Sequence, residues 1–214
     1  MYSVKNEYDR EQLSKSYERE GFAFIQNCFS PDLIQYLKES MKLAIDEGEG
    51  IIEKLDCIAV ERYRSQACYK SRISQALFPL LTPLFSSIVN KPLAPAYSMF
   101  RKYEQGNDLA LHVDRPACQY SLTCIVDSAE DKLWPFYLKT LSGKEVAIEN
   151  QNPGDLIMYQ GEKVFHSRNR LPHEWSSHVF LHWVDSSDPV YRPHMFDRHR
   201  AAEVQCANEE SSCP

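Results

Sequence analysis

From Pro92 onward the sequence is a succession of short apolar runs, each followed by residues that favour turns. The runs are AYSMFRKY, LALHV, YSLTCIV, PFYLKTL, EVAIE, LIMYQ, VFHS and SHVFLHWV. Runs of this length, rich in β-branched and aromatic residues and bounded by Gly, Pro, Asn and Asp, predict β-strands. Eight such strands at fairly regular spacing predict an antiparallel sandwich or barrel.

The preceding part of the chain has the pattern of amphipathic helices. The predicted elements are a helix over 8–20, a strand over 22–27, a helix over 31–46, a loop over 47–50 and a helical region over about 70–88. Ser30, Pro31 and Asp32 supply an N-cap, a proline at the first helical position and an acid in the first turn. Pro79 and Pro83 predict a break or kink in the last helical region.

Helices followed by strands predict an α+β protein in which the helices pack on one sheet. With 214 residues the chain fits a single domain. Within it we distinguish a helical and strand-containing support region over 1–91, a β-rich core over 92–200 and a polar tail over 201–214.

Composition and charge narrow the class of partner and the compartment. The net charge of −6 and the absence of a basic block argue against nucleic acid or an anionic membrane as partner. The apolar run ALFPLLTPLFSSIV is too interrupted to span a bilayer, and the charged N-terminus lacks a signal-peptide core. The seven cysteines are scattered without a CxxC motif, a pattern typical of reduced thiols. We therefore expect a cytoplasmic protein.

Three polar residues interrupt the apolar pattern of the strands. His112 and Asp114 are two positions apart at a strand end, so both side chains are expected to point to the same face. His166 lies four strands later, beyond a Pro-Gly-Asp turn. Two imidazoles and one carboxylate form the facial set that holds Fe(II) and leaves coordination positions open. An HxD motif alone is a weak signal, but the distant histidine behind a series of strands strengthens it.

The chain from about Gly21 to Asp185 resembles the Fe(II)/2-oxoglutarate-dependent dioxygenases of the prolyl-4-hydroxylase-like kind. The matching segments are GFAFIQNCFSPDLI, FRKYEQGNDLALHVD, SLTCIVD, NPGDLIMYQG, VFHSR and SHVFLHWVD. The resemblance implies a double-stranded β-helix (jelly-roll, cupin-like) core of about eight antiparallel strands, with the N-terminal helices packed on one sheet. Residues 92–200 would then be the catalytic core.

The resemblance also implies roles for individual residues. His112, Asp114 and His166 would be the catalytic iron ligands. Tyr103 matches the tyrosine that commonly donates a hydrogen bond to the distal carboxylate of 2-oxoglutarate.

The sequence departs from the family at the cation that pairs with this distal carboxylate. The family carries Arg or Lys on the final strand, where this chain has Ser176-Ser177-His178. A buried carboxylate needs a cationic partner. Arg168, two residues beyond His166, is the first candidate because it would share the inward face of the strand. The alternatives are Arg115, His178, His182 and Arg101.

The implied cofactors are Fe(II), 2-oxoglutarate and O2, with ascorbate as a reductant that could support the iron. We expect hydroxylation, or a related oxidation, of an unactivated C–H of a small molecule such as an amino acid or natural-product intermediate. The compact chain shows no peptide-binding appendage. The alternatives are a protein or peptide side-chain hydroxylase and, third, a non-catalytic jelly-roll binding protein.

Overall fold

The structure is a computed structural model and describes residues 7–46 and 65–197. The helices are α1 (Glu7–Glu20), α2 (Pro31–Asp46), α3 (Arg72–Gln75) and α4 (Phe78–Val89). The strands are β1 (Phe22–Ile25), β2 (Gln66–Tyr69), β3 (Leu93–Glu104), β4 (Leu109–His112), β5 (Tyr120–Ser128), β6 (Phe136–Lys139), β7 (Glu145–Ile148), β8 (Leu156–Tyr159), β9 (Phe165–Arg168) and β10 (Trp175–Asp185). Short 3-10 turns lie at Pro116–Cys118, Ala129–Asp131 and Arg192–Asp197.

The strands form two antiparallel sheets. One has six strands in the order β1-β8-β5-β10-β3-β2, and the other has four in the order β4-β9-β6-β7. Of the eight strands from β3 to β10, four belong to each sheet, and most consecutive strands lie in opposite sheets. This is the topology of a jelly roll. The predicted fold class, with about eight core strands, is confirmed.

The register of the six-stranded sheet fixes which side chains share a face. In the pairing of β10 with β3, His178 lies opposite Arg101 and His182 lies opposite Tyr97. On its other side β10 pairs with β5, where Ser121 lies opposite His182. Because residues directly opposite each other in a sheet point to the same face, these five side chains all face the four-stranded sheet.

The helices cover the other face of the six-stranded sheet and enclose the largest apolar core. Phe85 of α4 lies at its centre and packs edge-to-face against Tyr17, Tyr120 and Trp183. The inward positions predicted for this helical region are all buried: Leu77, Leu81, Leu84 and Ile88. This core fixes the position of the six-stranded sheet, whose opposite face carries His178, His182 and Ser121.

Two local predictions differ from the structure. The helical region is interrupted at Ala76 and Leu77, before the prolines, whereas Pro79 lies in the first turn of α4 and Pro83 lies inside it. A proline in the first turn loses no intrahelical bond. Pro83 is tolerated because packing of the apolar face outweighs the hydrogen bond that it cannot donate.

Strand β2 was not predicted, because four residues carry too little periodicity to identify a strand. It is recognisable only from its pairing with β3. The predicted loop over 47–50 and the tail over 201–214 lie outside the described residues. Among the helices of the described ranges, none is both long and apolar enough to cross a membrane.

Candidate metal centre and its surroundings

The three predicted metal ligands lie together at one end of the sandwich. His112 at the end of β4 is the register partner of His166 on β9, and their rings are 4.3 Å apart. The backbone N–H of Asp114 donates to the carbonyl of Gly161 at 2.8 Å, which fixes the chain just beyond β4. The Nε2 atoms of both histidines lie 3.6 Å from Oδ1 of Asp114. One ligand atom from each residue lies within 4.8 Å of the others.

The hydrogen bonds of the two rings determine which nitrogen is free. Nδ1 of His112 is 2.7 Å from the carbonyl oxygen of Ala110, and Nδ1 of His166 is 2.9 Å from that of Val164. A carbonyl oxygen only accepts, so each Nδ1 carries a proton and each ring turns its Nε2 atom towards Asp114. Two imidazole nitrogens and a carboxylate oxygen thus converge within 4.8 Å of one another, the arrangement of donor atoms around a bound cation. The residues therefore fit a divalent metal ion.

The charge state of Asp114 also favours the binding of a metal cation. Burial alone would raise the pKa of its carboxyl group, but the contacts with His112 and His166 hold the pKa well below its usual range. The carboxylate is therefore ionised near neutral pH. An anionic oxygen and two imidazole nitrogens make up the donor set that suits Fe(II).

The second oxygen of Asp114 is held by Ser121, a residue that the sequence did not identify as part of the site. The Ser121 hydroxyl donates to Oδ2 of Asp114 at 2.9 Å and is also 2.9 Å from Nδ1 of His182. His182 is buried and stacks on Tyr97, with ring centroids 4.4 Å apart. Burial lowers the pKa of His182 to about 4, so its ring is neutral. Alternation along β5 could have indicated an inward Ser121, but not its contact with Asp114.

A second group of side chains gathers around the buried Trp134. Tyr103 and His178 lie 4.9 and 5.7 Å from it between ring centroids, and 5.3 Å from each other. The guanidinium carbon of Arg168 lies 5.1 Å from the Trp134 ring. The structure thus brings together the three residues predicted to contact 2-oxoglutarate: Tyr103, Arg168 and His178.

Arg168 is the cationic member of this second group, and it is buried. Strand β9 alternates between exposed and buried positions, so Arg168 shares the inward face with His166, and only 2% of it is exposed. Its guanidinium donates to Oε1 of Gln151 at 3.0 Å and to the carbonyl of Trp134. Burial lowers its pKa to about 10, which leaves it charged at neutral pH. No carboxylate of the described residues forms an ion pair with it. Such a site calls for an anionic ligand.

Two other buried polar atoms near this cluster lack a partner among the described residues, namely Nδ1 of His178 and Oγ1 of Thr123. Nε2 of His178 is bonded to the Ser176 hydroxyl at 2.9 Å. Burial, together with the nearby charge of Arg168, holds the pKa of His178 well below its usual range. Thr123 was missed by the sequence interpretation. Its carbonyl accepts from Gln151, the residue that also bonds Arg168.

The remaining cationic candidates are engaged elsewhere or differently placed. Arg115 forms two hydrogen bonds with Asp197 at 2.9 and 2.5 Å, so it is not free to bind the co-substrate. His182 is held by Ser121. Arg101 lies on the opposite sheet from Arg168 and bonds the hydroxyl of Ser65.

No protein-family model and no curated protein matches the sequence. Solved structures do match its fold. The non-haem α-ketoglutarate-dependent epimerase SnoN from nogalamycin biosynthesis has a TM-score of 0.70 at 13% identity, covering 85% of this chain and 84% of that one. A prolyl-4-hydroxylase of Pseudomonas putida has a TM-score of 0.63 at 12% identity, covering 81% and 97%.

A third match is a prolyl hydroxylase from Trichoplax adhaerens, solved with a peptide fragment of the hypoxia inducible factor oxygen degradation domain. Its TM-score is 0.66 at 12% identity, and the match covers 86% of this chain and 96% of that one. At such low identity these likenesses establish a shared fold.

Proposed function

We propose that this protein is a non-haem Fe(II)- and 2-oxoglutarate-dependent oxygenase that oxidises an unactivated C–H of a small molecule. The observation that carries the proposal is the convergence of His112, Asp114 and His166, with both Nε2 atoms 3.6 Å from Oδ1 of an ionised carboxylate. The fold supports it, because the three solved structures described above, a non-haem α-ketoglutarate-dependent epimerase and two prolyl hydroxylases, share this architecture.

Each ligand residue has a defined task in this proposal. His166 is 2% exposed and closes the inner side of the site, whereas the His112 side chain is 27% exposed and borders the entrance. The backbone carbonyls of Ala110 and Val164 hold the two rings in the ligating tautomer. Bound Fe(II) would supply the activation of O2, with 2-oxoglutarate as co-substrate.

The cluster around Trp134 is proposed to hold 2-oxoglutarate. Arg168 lies two residues beyond His166 on the same inward face, so its guanidinium suits the distal carboxylate of a keto acid bound beside His166. The Tyr103 hydroxyl, Oγ1 of Thr123 and Nδ1 of His178 can complete the hydrogen bonding of that carboxylate. This would give a partner to the buried polar atoms that lack one.

The depth of the site bears on the substrate class. The deep position of His166 and Arg168 suits a small molecule that enters the sandwich. A protein or peptide hydroxylase is the second candidate, because Leu111 and Val113 next to His112 are apolar and 63% and 36% exposed. Such residues could contact an extended peptide.

Metal titration tests the core of the proposal. Calorimetry with Mn(II) should give one site per chain in the parent protein, and His112→Ala, Asp114→Ala and His166→Ala should each remove it. His194→Ala is a control for histidine loss outside the site. A parent protein that binds neither Mn(II) nor Fe(II) would show that the jelly roll is a non-catalytic binding module.

The co-substrate and substrate require separate measurements. Arg168→Gln should abolish binding of the inert analogue N-oxalylglycine to the Mn(II)-loaded protein while leaving the Mn(II) affinity unchanged. Succinate release by the Fe(II)-loaded protein should then be followed with a panel of amino acids and with short peptides. Turnover that requires a peptide would favour the second candidate.

A further inference from the structure

A second buried arginine faces the interior of the sandwich. Arg101 is 5% exposed, and no carboxylate of the described residues lies within ion-pairing distance of it. Its Nε and Nη2 atoms donate to the hydroxyl of Ser65 at 3.0 and 2.6 Å, and its guanidinium carbon lies 4.9 Å from the Tyr103 ring. Within the described ranges, this positive charge contacts a neutral hydroxyl and an aromatic face and has no anionic partner.

The position of Arg101 separates it from Arg168. Arg168 belongs to the four-stranded sheet, whereas Arg101 is on β3 of the six-stranded sheet, next to the edge strand β2, where it lies opposite Ala67. Its hydrogen bonds also lead towards this edge, because Ser65 directly precedes β2. Arg101 thus lies at the side of the sandwich that strand β2 borders.

The proposed co-substrate can use only one of the two arginines. 2-Oxoglutarate has a single carboxylate left once its other end chelates the metal, and Arg168 lies nearer in the chain and in the sheet to His166. Arg101 therefore has a charge available for a different anion. His178 lies opposite Arg101, and burial together with the charges of Arg168 and Arg101 holds its pKa well below the usual range, so the His178 ring adds no positive charge to that of Arg101. One guanidinium matches one carboxylate in charge and in its planar geometry.

We propose that Arg101 anchors a carboxylate group of the primary substrate, so that the substrate is a small molecule bearing a free carboxylate. This inference rests on the function proposed above and specifies its substrate class. The oxidised carbon would then lie between the anchored carboxylate and the metal centre. The face of Tyr103 stacks on the guanidinium and keeps it oriented.

The test uses the full chain loaded with Mn(II) and saturated with N-oxalylglycine. Calorimetry would measure the binding of free amino acids and aliphatic acids, each compared with its own primary amide. We expect at least one acid to bind while its amide binds about 30-fold more weakly or not at all, the loss expected when a buried charge loses its partner. Arg101→Gln should weaken this acid by a similar factor, and Arg101→Lys should restore part of the affinity.

Controls separate this inference from the function on which it rests. Arg72→Gln, at an exposed arginine of α3, should bind the acid like the parent protein. Arg101→Gln should leave the affinities for Mn(II) and N-oxalylglycine unchanged. If Mn(II) or N-oxalylglycine fails to bind the parent protein, the proposed function fails first. If both bind but no acid is preferred over its amide, or if Arg101→Gln abolishes N-oxalylglycine binding, the role of Arg101 is wrong and the oxygenase proposal stands.

Discussion

The hydroxyl of Ser121 donates a hydrogen bond to Oδ2 of Asp114 at 2.9 Å, on the side of the carboxylate that faces away from the two histidines. The same hydroxyl is 2.9 Å from Nδ1 of His182. Because the hydroxyl proton is directed to Asp114, Nδ1 of His182 has to donate to the Ser121 oxygen. His182 therefore orients Ser121, and Ser121 orients the proposed metal ligand.

Removal of this hydroxyl should weaken metal binding without unfolding the chain. Ser121→Ala leaves Oδ2 of Asp114 without its donor and Nδ1 of His182 without its acceptor. We expect the dissociation constant for Mn(II) to rise about 10- to 100-fold, as is typical when a partner of a ligating residue is lost. Calorimetric titration measures the constant, and circular dichroism checks that the fold is retained.

A serine on the other face of the sheet is the matched control. Ser98 is as buried as Ser121 and bonds the Ser74 hydroxyl at 2.8 Å on the side of the helices. Ser98→Ala should lower the free energy of unfolding by about 1 kcal/mol and leave the Mn(II) affinity unchanged. Equal Mn(II) affinities in Ser121→Ala and the parent protein would show that Asp114 does not depend on this bond.

We expect Gly161 to be essential for the metal centre because there is no room for a side chain at this position. Its backbone conformation does not require glycine. A Cβ atom at this position would be 2.7 Å from Oγ of Ser121 and would collide with Oδ2 of Asp114 and the carbonyl of Cys118. Gly161→Ala should therefore displace Asp114. In thermal unfolding, saturating Mn(II) should raise the Tm of the parent protein, and this increase should be absent from the variant.

Gly143 provides the opposite case. It has a φ of +83° and open space around its Cα atom, so Gly143→Ala adds backbone strain without a collision. We expect it to cost about 1 kcal/mol of stability and to keep the full Mn(II)-induced increase in Tm. A retained increase in Gly161→Ala would contradict the proposed displacement of Asp114.

The sequence was most informative where period-two alternation combines with an unusual residue. His166 and Arg168 are two apart in one strand, so a shared inward face could be predicted from spacing, and the structure has both buried. Ser121, Thr123 and Gly161 could not be assigned in this way. Their importance depends on contacts between segments that are distant in the chain, such as the approach of Gly161 to Asp114.

The contrast between local sequence patterns and long-range contacts also explains the two local predictions of secondary structure that were wrong. Strand β2 has too few residues for a periodic pattern, so only its pairing with β3 reveals it. Pro83 carries a strong local signal against helix, yet the neighbouring Leu84 and Phe85 are buried against the sheet. Tertiary packing overrides local preference at such positions.

Phe85 should be a principal determinant of stability in the core between helices and sheet. It is fully buried and contacts three aromatic rings edge-to-face. Phe85→Ala should lower the free energy of unfolding by about 3–5 kcal/mol in urea denaturation. Leu80→Ala, at a position of the same helix that is 45% exposed, should change it by less than about 0.5 kcal/mol. Similar losses in the two variants would mean that the helices do not depend on this aromatic cluster.

Glu20 at the end of α1 should make the stability depend on pH in the acid range. Its carboxylate accepts hydrogen bonds from the Ser142 hydroxyl at 2.5 Å and from Nε of Arg19 at 2.7 Å. These bonds hold the pKa of Glu20 at about 2, below the value of about 4.3 expected in an unfolded chain. Glu20 thereby connects the helix to the turn between β6 and β7.

The sign of the effect follows from the lowered pKa. Between about pH 4.3 and pH 2 the unfolded chain binds a proton at Glu20 that the folded chain does not bind, so stability falls as the pH falls. The contribution is complete above about pH 5 and is lost near pH 2. In urea denaturation at a series of pH values, the free energy of unfolding of Glu20→Gln should lie below that of the parent protein near neutral pH and converge with it in acid. When Ser142 is replaced by Ala, the difference in free energy of unfolding between chains with Glu20 and with Gln at position 20 should be smaller. The reason is that the Ser142 hydroxyl is the donor that lowers the pKa of Glu20 most. The free energies of unfolding of Glu20→Gln and the parent protein could instead differ by the same amount at every pH at which the protein is folded. That result would show that these contacts do not lower the pKa of Glu20.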